Sequence, residues 1–171
     1  MIDGNVEQEV LSRQQGRLVR IRRIKKGDCA KDFETGEPRF DLDQRGRKLN
    51  LLFYFLRDRS GKYECYVLEN GEDILGVLCI QDQEEHLYLS RIGVRKGHSG
   101  KGYGTRMLVE SLQKAQGLNK RKIACKSHKK AWGFFESMGF RKMAEFNDRH
   151  WGMSALMELR IDYSMAGSRD R

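Results

Sequence analysis

One glycine-rich stretch decides how this chain is interpreted: Val94-Arg-Lys-Gly-His-Ser-Gly-Lys-Gly-Tyr-Gly-Thr105. It follows a strand-like segment, residues 86–94, and precedes residues 105–115, where apolar residues recur at helical spacing. Its glycines allow a tight turn that presents several backbone N–H groups together. These groups lie at the N-terminus of the predicted helix, where the helix dipole favours an anion. The stretch therefore predicts a cradle for a phosphate or pyrophosphate group.

The glycine spacing excludes two common nucleotide loops. A Rossmann loop needs Gly-x-Gly-x-x-Gly, whereas Gly100, Gly102 and Gly104 are spaced two by two. A Walker loop ends in Gly-Lys-Ser/Thr after four spacer residues, and this stretch has no such ending. Two interpretations remain, a coenzyme-binding loop of another kind and an ordinary glycine-rich turn between a strand and a helix.

The rest of the chain predicts a mixed sheet flanked by helices. The Asn70-Gly71 pair predicts a hairpin, and the strand–helix–strand order of residues 86–125 predicts a right-handed crossover between parallel strands. The predicted strands are residues 18–24, 63–69, 74–81, 86–94, 122–125, 141–146 and 155–163, and the predicted helices are residues 48–57, 105–115 and 128–138.

Length and composition limit the class of protein. The 171 residues suit a single domain, and we expect residues 1–17 and 164–171 to be loosely ordered. Apolar runs are too short to span a membrane, and the acidic N-terminal residues argue against a secretory signal. The formal charge of +9 indicates either a solvated basic surface or an anionic partner, such as a nucleotide-like cofactor, nucleic acid or an acidic protein.

The four cysteines are Cys29, Cys65, Cys79 and Cys125, and no Cys/His spacing fits a zinc site. We expect them to stand alone, with Cys79 and Cys125 acting as small core residues. This pattern indicates a reducing, cytoplasmic location and no metal.

Two motifs resemble those of the Gcn5-related N-acetyltransferase (GNAT) superfamily. The segment Ser99-Gly-Lys-Gly-Tyr-Gly104 is similar to its Gln/Arg-x-x-Gly-x-Gly/Ala motif, and Ala131-Trp-Gly-Phe-Phe-Glu-Ser-Met-Gly-Phe140 is similar to its second signature, Ala-x-x-x-Tyr-x-x-x-Gly-Phe. A predicted strand lies between the two motifs, as the family requires. The resemblance covers about residues 18–163 and is firm over residues 63–146.

The resemblance implies an α/β (α+β) fold: a largely antiparallel sheet of about seven strands, a parallel central pair that splays apart, and about four helices. It also implies an acyltransferase that binds acetyl-CoA and transfers the acetyl group to a primary amine, by direct attack in a ternary complex. The implied cofactor-binding residues are Ile92, Gly93, Val94, Ser99, Gly100, Lys101, Gly102, Tyr103, Gly104, Thr105 and Phe135.

Several positions depart from the family pattern. Tyr88 stands where the family often has a glutamate base, and a tyrosine is a poor base near neutrality. Phe135 replaces the usual tyrosine that protonates the leaving thiolate. His128, Ser127 or water could replace that donor, although His128 could instead cap the helix or contact the cofactor. Ser99 replaces the usual Gln or Arg. Tyr88 and His128 are therefore the candidate catalytic residues.

Three functions remain open at this point. The first is an N-acetyltransferase, whose acceptor wall we expect from residues 49–57, Tyr88 and residues 146–153. The second is a basic protein that binds nucleic acid or ribosomes, which could act on aminoacyl-tRNA. The third is an acyl-CoA-binding module without turnover. The superfamily also makes a homodimer possible, and no membrane partner is expected. Two basic clusters support the second function: Arg20, Arg22, Arg23, Lys25 and Lys26, and Lys120, Arg121, Lys122, Lys126, Lys129 and Lys130.

Overall fold

The computed structural model describes residues 13–14, 17–29, 40–41, 48–49, 51–71 and 73–163. Its strands are β1 Arg13–Gln14, β2 Arg17–Arg23, β3 Phe40–Asp41, β4 Lys48–Leu49, β5 Glu64–Asn70, β6 Asp73–Asp82, β7 Leu87–Val94, β8 Lys122–His128, β9 Arg141–Asp148 and β10 Gly152–Arg160. Its α-helices are α1 Leu51–Arg59, α2 Tyr103–Gly117 and α3 Trp132–Ser137, and Lys26–Cys29 and Lys129–Ala131 form 3₁₀ turns.

Seven long strands and the two-residue β1 form one sheet in the order β1-β2-β5-β6-β7-β8-β10-β9. Every neighbouring pair is antiparallel except the central pair, β7 and β8. The parallel pairing ends at Leu89 and Cys125, although β7 continues to Val94 and β8 to His128. The two strands therefore splay apart, and the mixed sheet with a splayed central pair is confirmed.

The two faces of the sheet carry different helices. On one face, Met107 and Leu108 of α2 pack with Phe135 of α3 and with strand residues such as Leu78. On the other face, Leu51 and Tyr54 of α1 pack with Val67, Val77 and Cys79. We call these the α2 face and the α1 face. None of the helices in the described ranges has the length and hydropathy needed to cross a membrane.

Several predicted element boundaries are wrong. The first helix begins at Leu51 rather than at residue 48, because Lys48 and Leu49 pair with Asp41 and Phe40 in β4. β8 runs on to His128, whose backbone is extended, so the predicted helix 128–138 contracts to a 3₁₀ turn followed by Trp132–Ser137. β10 begins at Gly152 rather than at residue 155. The described ranges hold three α-helices, one fewer than expected, and the predicted loose ends lie mostly outside these ranges.

The expectation that all cysteines stand alone is also wrong. Cys65 and Cys79 are directly opposite residues of β5 and β6, with Cα atoms 4.2 Å apart, and they form a disulfide. Antiparallel pairing across the Asn70-Gly71 hairpin brings them together, although 14 positions separate them in sequence. Cys29 and Cys125 are buried and are not part of this disulfide, so the prediction for Cys125 is confirmed.

Candidate functional site

A cleft of about 560 Å³ opens where β7 and β8 separate. Its walls come from the free part of β7, the glycine turn, the start of α2, the end of β8, helix α3 and the turn between β9 and β10. A β-bulge opposite Cys79 and Ile80 makes Ser90 the extra residue of β7. The splay and the bulge leave backbone groups of β7 without a partner on the β8 side, which suits an extended ligand that lies along the strand.

The glycine turn has the backbone conformation that the sequence predicts. Gly97, Gly100 and Gly102 have φ angles of 80°, 76° and 78°, in the left-handed region that residues with a Cβ atom rarely adopt. Gly102 is the N-cap of α2, and its carbonyl accepts the first helical hydrogen bond from the Arg106 N–H at 3.0 Å. The N–H groups of the first turn of α2 therefore face the cleft without intrahelical partners. This is an anion site built from backbone.

Two further glycines keep the walls of the cleft close together. A Cβ on Gly76 would lie 2.8 Å from the carbonyl oxygen of Gly93, so β6 requires glycine where β7 passes toward the turn. A Cβ on Gly104 would lie 3.3 Å from the ring of Phe134. Helix α2 consequently packs closely against β7 and α3 at the end of the cleft that holds the anion site.

The structure brings together all the predicted cofactor-binding residues except Lys101. Ile92, Gly93, Val94 and Phe135 line the cleft with the residues of the glycine turn and the start of α2, whereas Lys101 is exposed and outside the lining. The sequence interpretation missed His98, which also lines the cleft. The His98 Nδ1 atom is buried and has no hydrogen-bond partner in the part of the chain that the structure describes. His98 lies between two glycines of the turn, and this position is the sequence feature that could have identified it.

Tyr88 lies on β7 opposite Ala124, where β7 and β8 are still paired, and it is not part of the cleft lining. Burial raises the pKa of its hydroxyl, and the charge of Lys126 opposes this only in part. The hydroxyl therefore stays protonated near neutral pH. Tyr88 cannot accept a proton there, and its catalytic assignment stays a prediction.

His128 lies at the end of β8, lines the cleft and is buried. Its Nδ1 atom accepts a hydrogen bond of 3.1 Å from the Lys130 N–H, which caps the 3₁₀ turn. Because Nδ1 is an acceptor, the neutral imidazole carries its proton on Nε2. The predicted capping role is confirmed, and the same hydrogen bond orients a ring that can donate a proton.

Phe135 is buried in the cleft wall, with its ring centroid 5.2 Å from that of Phe140 in an edge-to-face contact. It supplies an apolar surface and no proton. Cys125 also lines the cleft, and burial raises the pKa of its thiol to about 12. A thiol that stays protonated is a poor nucleophile, so the cleft does not suit a mechanism with an acyl-cysteine. Trp132 is buried and its Nε1 donates to the Ser127 carbonyl at 3.2 Å, so its side chain has a structural role in the fold.

Basic and aromatic side chains line the remaining part of the cleft. The guanidinium of Arg91 lies 5.3 Å from the ring centroid of Trp151, and the Lys126 ammonium lies 6.0 Å from the same ring. Asp148 forms an ion pair with Lys126 and accepts hydrogen bonds from the backbone N–H of His150 and Trp151, so it holds the β9–β10 turn. The sequence placed Trp151 in the acceptor wall but gave no indication of Arg91 or Lys126 beside it.

Comparisons of the sequence and of the fold with known proteins both identify acetyltransferases as similar. A sequence model of the acetyltransferase (GNAT) family matches residues 27–140, more than half of the chain. No curated protein sequence matches.

Similar solved structures include the ribosomal-protein-S18-alanine N-acetyltransferase of Escherichia coli, with 15% identity, a TM-score of 0.65, and coverage of 90% of this chain and 99% of that one. The paia N-acetyltransferase of Thermoplasma acidophilum, solved with coenzyme A, has 14% identity and a TM-score of 0.63, and covers 84% and 99%. The yncA protein of Salmonella typhimurium, solved with its cofactor acetyl-CoA, has 18% identity and a TM-score of 0.61, and covers 84% and 94%. At these identities the similarity establishes the fold.

Proposed function

Because the chain belongs to the GNAT acetyltransferase family, we propose that it binds acetyl-CoA and transfers the acetyl group to a primary amine. The observation that carries this proposal is one cleft that joins a backbone anion site to the opening between β7 and β8. The anion site would hold the charged end of the coenzyme. The opening would give an amine access to its acyl end.

The residues of the cleft fit coenzyme A. The left-handed glycines and the first turn of α2 present N–H groups that suit a pyrophosphate. The buried, unpartnered Nδ1 of His98 is a polar group in the same turn that a ligand could satisfy. Ile92 to Val94 would pair with the extended arm of the coenzyme as a further strand would, and Phe135 would cover it with an apolar surface. Bound acetyl-CoA would supply an acetyl group activated as a thioester.

The chain's own groups favour direct attack by the amine. The described lining holds no carboxylate that could act as a base, and Tyr88 is protonated. Arg91 and Lys126 disfavour a nearby ammonium ion and so increase the fraction of neutral, nucleophilic amine. Positioning the amine beside the thioester supplies the rest, and well-oriented reactions gain up to about 7–11 kcal/mol in this way.

We assign the proton donor to the departing sulfur as His128: Nε2 passes its proton to the sulfur as the carbon–sulfur bond breaks, and the proton that the amine loses on forming the amide returns to Nε2, so that the imidazole ends neutral. Its Nε2 carries the proton because Nδ1 is occupied by the Lys130 N–H. The His128 ring, near the end of β8, and the apolar ring of Phe135, which has no proton to give, both line the cleft. Tyr88 then belongs to the surrounding sheet, outside the cleft lining.

A thiol-release assay tests the proposed function. The full chain is incubated with acetyl-CoA and a panel of amino acids, peptides, polyamines and aminoacyl-tRNA, and both free CoA and the acetylated product are measured. We expect thiol release that depends on an acceptor, with matching product. Thiol release without any acetylated amine, or none with every acceptor, would contradict it. Binding of acetyl-CoA without turnover would support the catalytically silent module that Phe135 also suits.

The basic clusters give less support to a nucleic-acid-binding function. Arg20, Arg22 and Arg23 of β2 all contact carboxylates, so they mainly stabilise the fold. Lys120, Lys122 and Lys126 form ion pairs with Asp82, Glu158 and Asp148. Lys129 and Lys130 remain exposed beside the cleft. A weak salt dependence of tRNA binding is expected, because few of these cations are available to phosphates. The homodimer and the cytoplasmic location stay predictions.

A further inference from the structure

The acceptor end of the cleft contains a cation, Arg91. Arg91 follows the bulge in β7 and pairs in register with Cys79, whose side chain packs on the α1 face. The Arg91 side chain therefore lies on the α1 face, opposite the helix that carries the anion site. No carboxylate contacts it in the described ranges, whereas the arginines of β2 contact Asp28, Asp58, Glu64 and Glu69.

Two further basic residues, Lys126 and Arg57, lie near Arg91. Lys126 comes from β8, and its carboxylate partner among the described residues, Asp148, also accepts hydrogen bonds from two backbone N–H groups of the turn. Arg57 comes from α1 and donates to the Ser90 hydroxyl at 3.1 Å. Trp151, Cys125, Ser127 and His128 also line the cleft. Among the described residues, this end of the cleft therefore has three cations and one ion-paired carboxylate, Asp148, which already has partners.

The contact with the Trp151 ring orients the guanidinium of Arg91. Arginine above an indole ring is held by a cation–π interaction and keeps its N–H donors available at the edge of the guanidinium. These paired N–H donors suit carboxylate and phosphate groups, because they can bind two oxygens of the group at once. An acceptor with positive charges beside its amine would instead meet repulsion from Arg91, Lys126 and Arg57.

We propose, building on the proposed function, that the acceptor carries a carboxylate or phosphate close to the amine that is acetylated, and that Arg91 binds this group above Trp151. The anionic group lies on the α1 face, the coenzyme enters from the α2 face, and the amine reaches the thioester through the opening between β7 and β8. Polyamines and lysine-rich peptides are excluded as good acceptors. Arg91 is thus the residue that determines acceptor specificity.

Matched acceptor pairs test the proposal. One pair is the peptide Ser-Glu-Glu-Leu and its counterpart Ser-Gln-Gln-Leu, and the other is phosphoethanolamine and ethanolamine. For each acceptor, we compare the kcat/KM with which the full chain acetylates it at low salt. We expect the anionic member of at least one pair to be preferred by about tenfold or more, since a charge-assisted pair contributes about 1.5–3 kcal/mol and 1.4 kcal/mol is tenfold. The pair that shows the preference identifies the carboxylate or the phosphate as the source.

Variants of the protein test whether Arg91 causes the preference for anionic acceptors. Arg91→Gln should reduce the preference to about twofold or less, and Arg91→Lys should restore part of it. Arg149→Gln is the matched control, because Arg149 is an exposed arginine of the same β9–β10 turn, and it should leave the preference unchanged. Equal or better use of the neutral members, or a preference that survives in folded Arg91→Gln, would overturn the proposal.

A binding measurement separates this proposal from the proposed function. The protein saturated with CoA is titrated calorimetrically with the same four compounds. Binding of the anionic members alone, lost in Arg91→Gln, sustains the Arg91 site even if no acceptor is acetylated, and only the proposed function then fails. Binding of neither member of either pair, or equal binding of both, overturns the Arg91 site whether or not the chain is an acetyltransferase.

Discussion

The two ends of the cleft are built in different ways. The anion site at the start of α2 consists of backbone N–H groups held by left-handed glycines within one short turn. The acceptor end consists of side chains from β7, β8 and the β9–β10 turn, which the fold brings together from distant parts of the chain, and Arg57 of α1 contacts Ser90 beside it. A backbone site is therefore visible in a local sequence pattern. A side-chain site becomes visible only when the topology is known.

This difference has a consequence for substitution. The coenzyme end should tolerate many side-chain changes, because its donors belong to the backbone. It does not tolerate a Cβ atom at the left-handed positions. The acceptor end should behave in the opposite way, with side-chain changes altering specificity while the fold is preserved. The predictions below test this contrast.

The largest effect is expected for Gly102→Val. Valine at φ 78° is strained by about 1–2 kcal/mol, and moving the N–H groups at the start of α2 loses hydrogen bonds to an anion. We expect CoA affinity to fall by about 100-fold in a calorimetric titration, which corresponds to about 2.7 kcal/mol. Gly61→Val is the matched control, since Gly61 has a φ of 72° but lies outside the cleft. Equal loss of affinity in the two variants would refute the backbone cradle.

Gly76→Ala should destabilise the protein through the strand pair that carries the cleft. The new methyl group would lie 2.8 Å from the Gly93 carbonyl oxygen, so β6 or β7 must move. We expect chemical denaturation to show a loss of about 1–3 kcal/mol, as for other overpacked sites. Gly133→Ala in α3 is the control, because nothing lies within 4 Å of its added Cβ, and alanine there should raise stability by about 0.5–1 kcal/mol. No loss in Gly76→Ala would show that this close approach is not required.

Asp28→Asn should show that the charges of β2 are structural, unlike those at the acceptor end. Burial opposes ionisation of Asp28, but hydrogen bonds from Arg22 and the Lys25 N–H outweigh it and lower its pKa. A lowered folded-state pKa contributes stability above the unfolded pKa, and this contribution is lost as pH falls through the folded value. We expect the variant to lose about 1–3 kcal/mol at pH 7.

The dependence of stability on pH provides a control for the Asp28→Asn prediction. The difference between Asp28→Asn and the wild type should narrow below about pH 4, where the unfolded carboxyl is protonated. Glu85→Gln, at an exposed position, should change neither the stability at pH 7 nor its pH dependence. A constant difference between pH 7 and pH 3 would show that the ion pair is not the cause.

The smallest effect is expected for His128→Asn, which separates the two roles of His128. The asparagine oxygen can accept the hydrogen bond from the Lys130 N–H and keep the cap, but the side chain cannot protonate a thiolate. We expect Tm to change little and kcat to fall by about tenfold, at the low end for general acid catalysis. His128→Ala should lower both kcat and Tm. Unchanged kcat in His128→Asn would leave His128 with a capping role only.

The fold was largely predictable because its signals are local. Hairpin residues, the change from strand to helical periodicity and the glycine turn identified the strands of the sheet and the crossover. The two misplaced helix starts share one cause, since residue 49 and His128 have sequence neighbours with helical spacing but backbones that pair or extend as strands. The Cys65–Cys79 disulfide depends on the register of two strands, which the sequence alone does not specify.

The part of the candidate site that is built from backbone groups was predictable from the sequence. Every predicted coenzyme residue of the turn except Lys101 lines the cleft, because tight turns place consecutive residues predictably. Arg91 could not have been identified, since its face depends on the bulge at Ser90, which shifts the strand by one residue. Without that bulge, a strict alternation would have assigned Arg91 to the α2 face together with Leu87 and Leu89.

The most direct test of the central claim compares coenzyme A with pantetheine in calorimetric titrations of the unmodified chain. Both compounds carry the arm that would lie along Ile92 to Val94, but only coenzyme A carries the pyrophosphate that the glycine turn would hold. Our account predicts one coenzyme A site per chain and an affinity for pantetheine at least about 100-fold weaker, given about 1.5–3 kcal/mol for each hydrogen bond to a charged group. Equal affinities, or no binding of coenzyme A, would contradict the account.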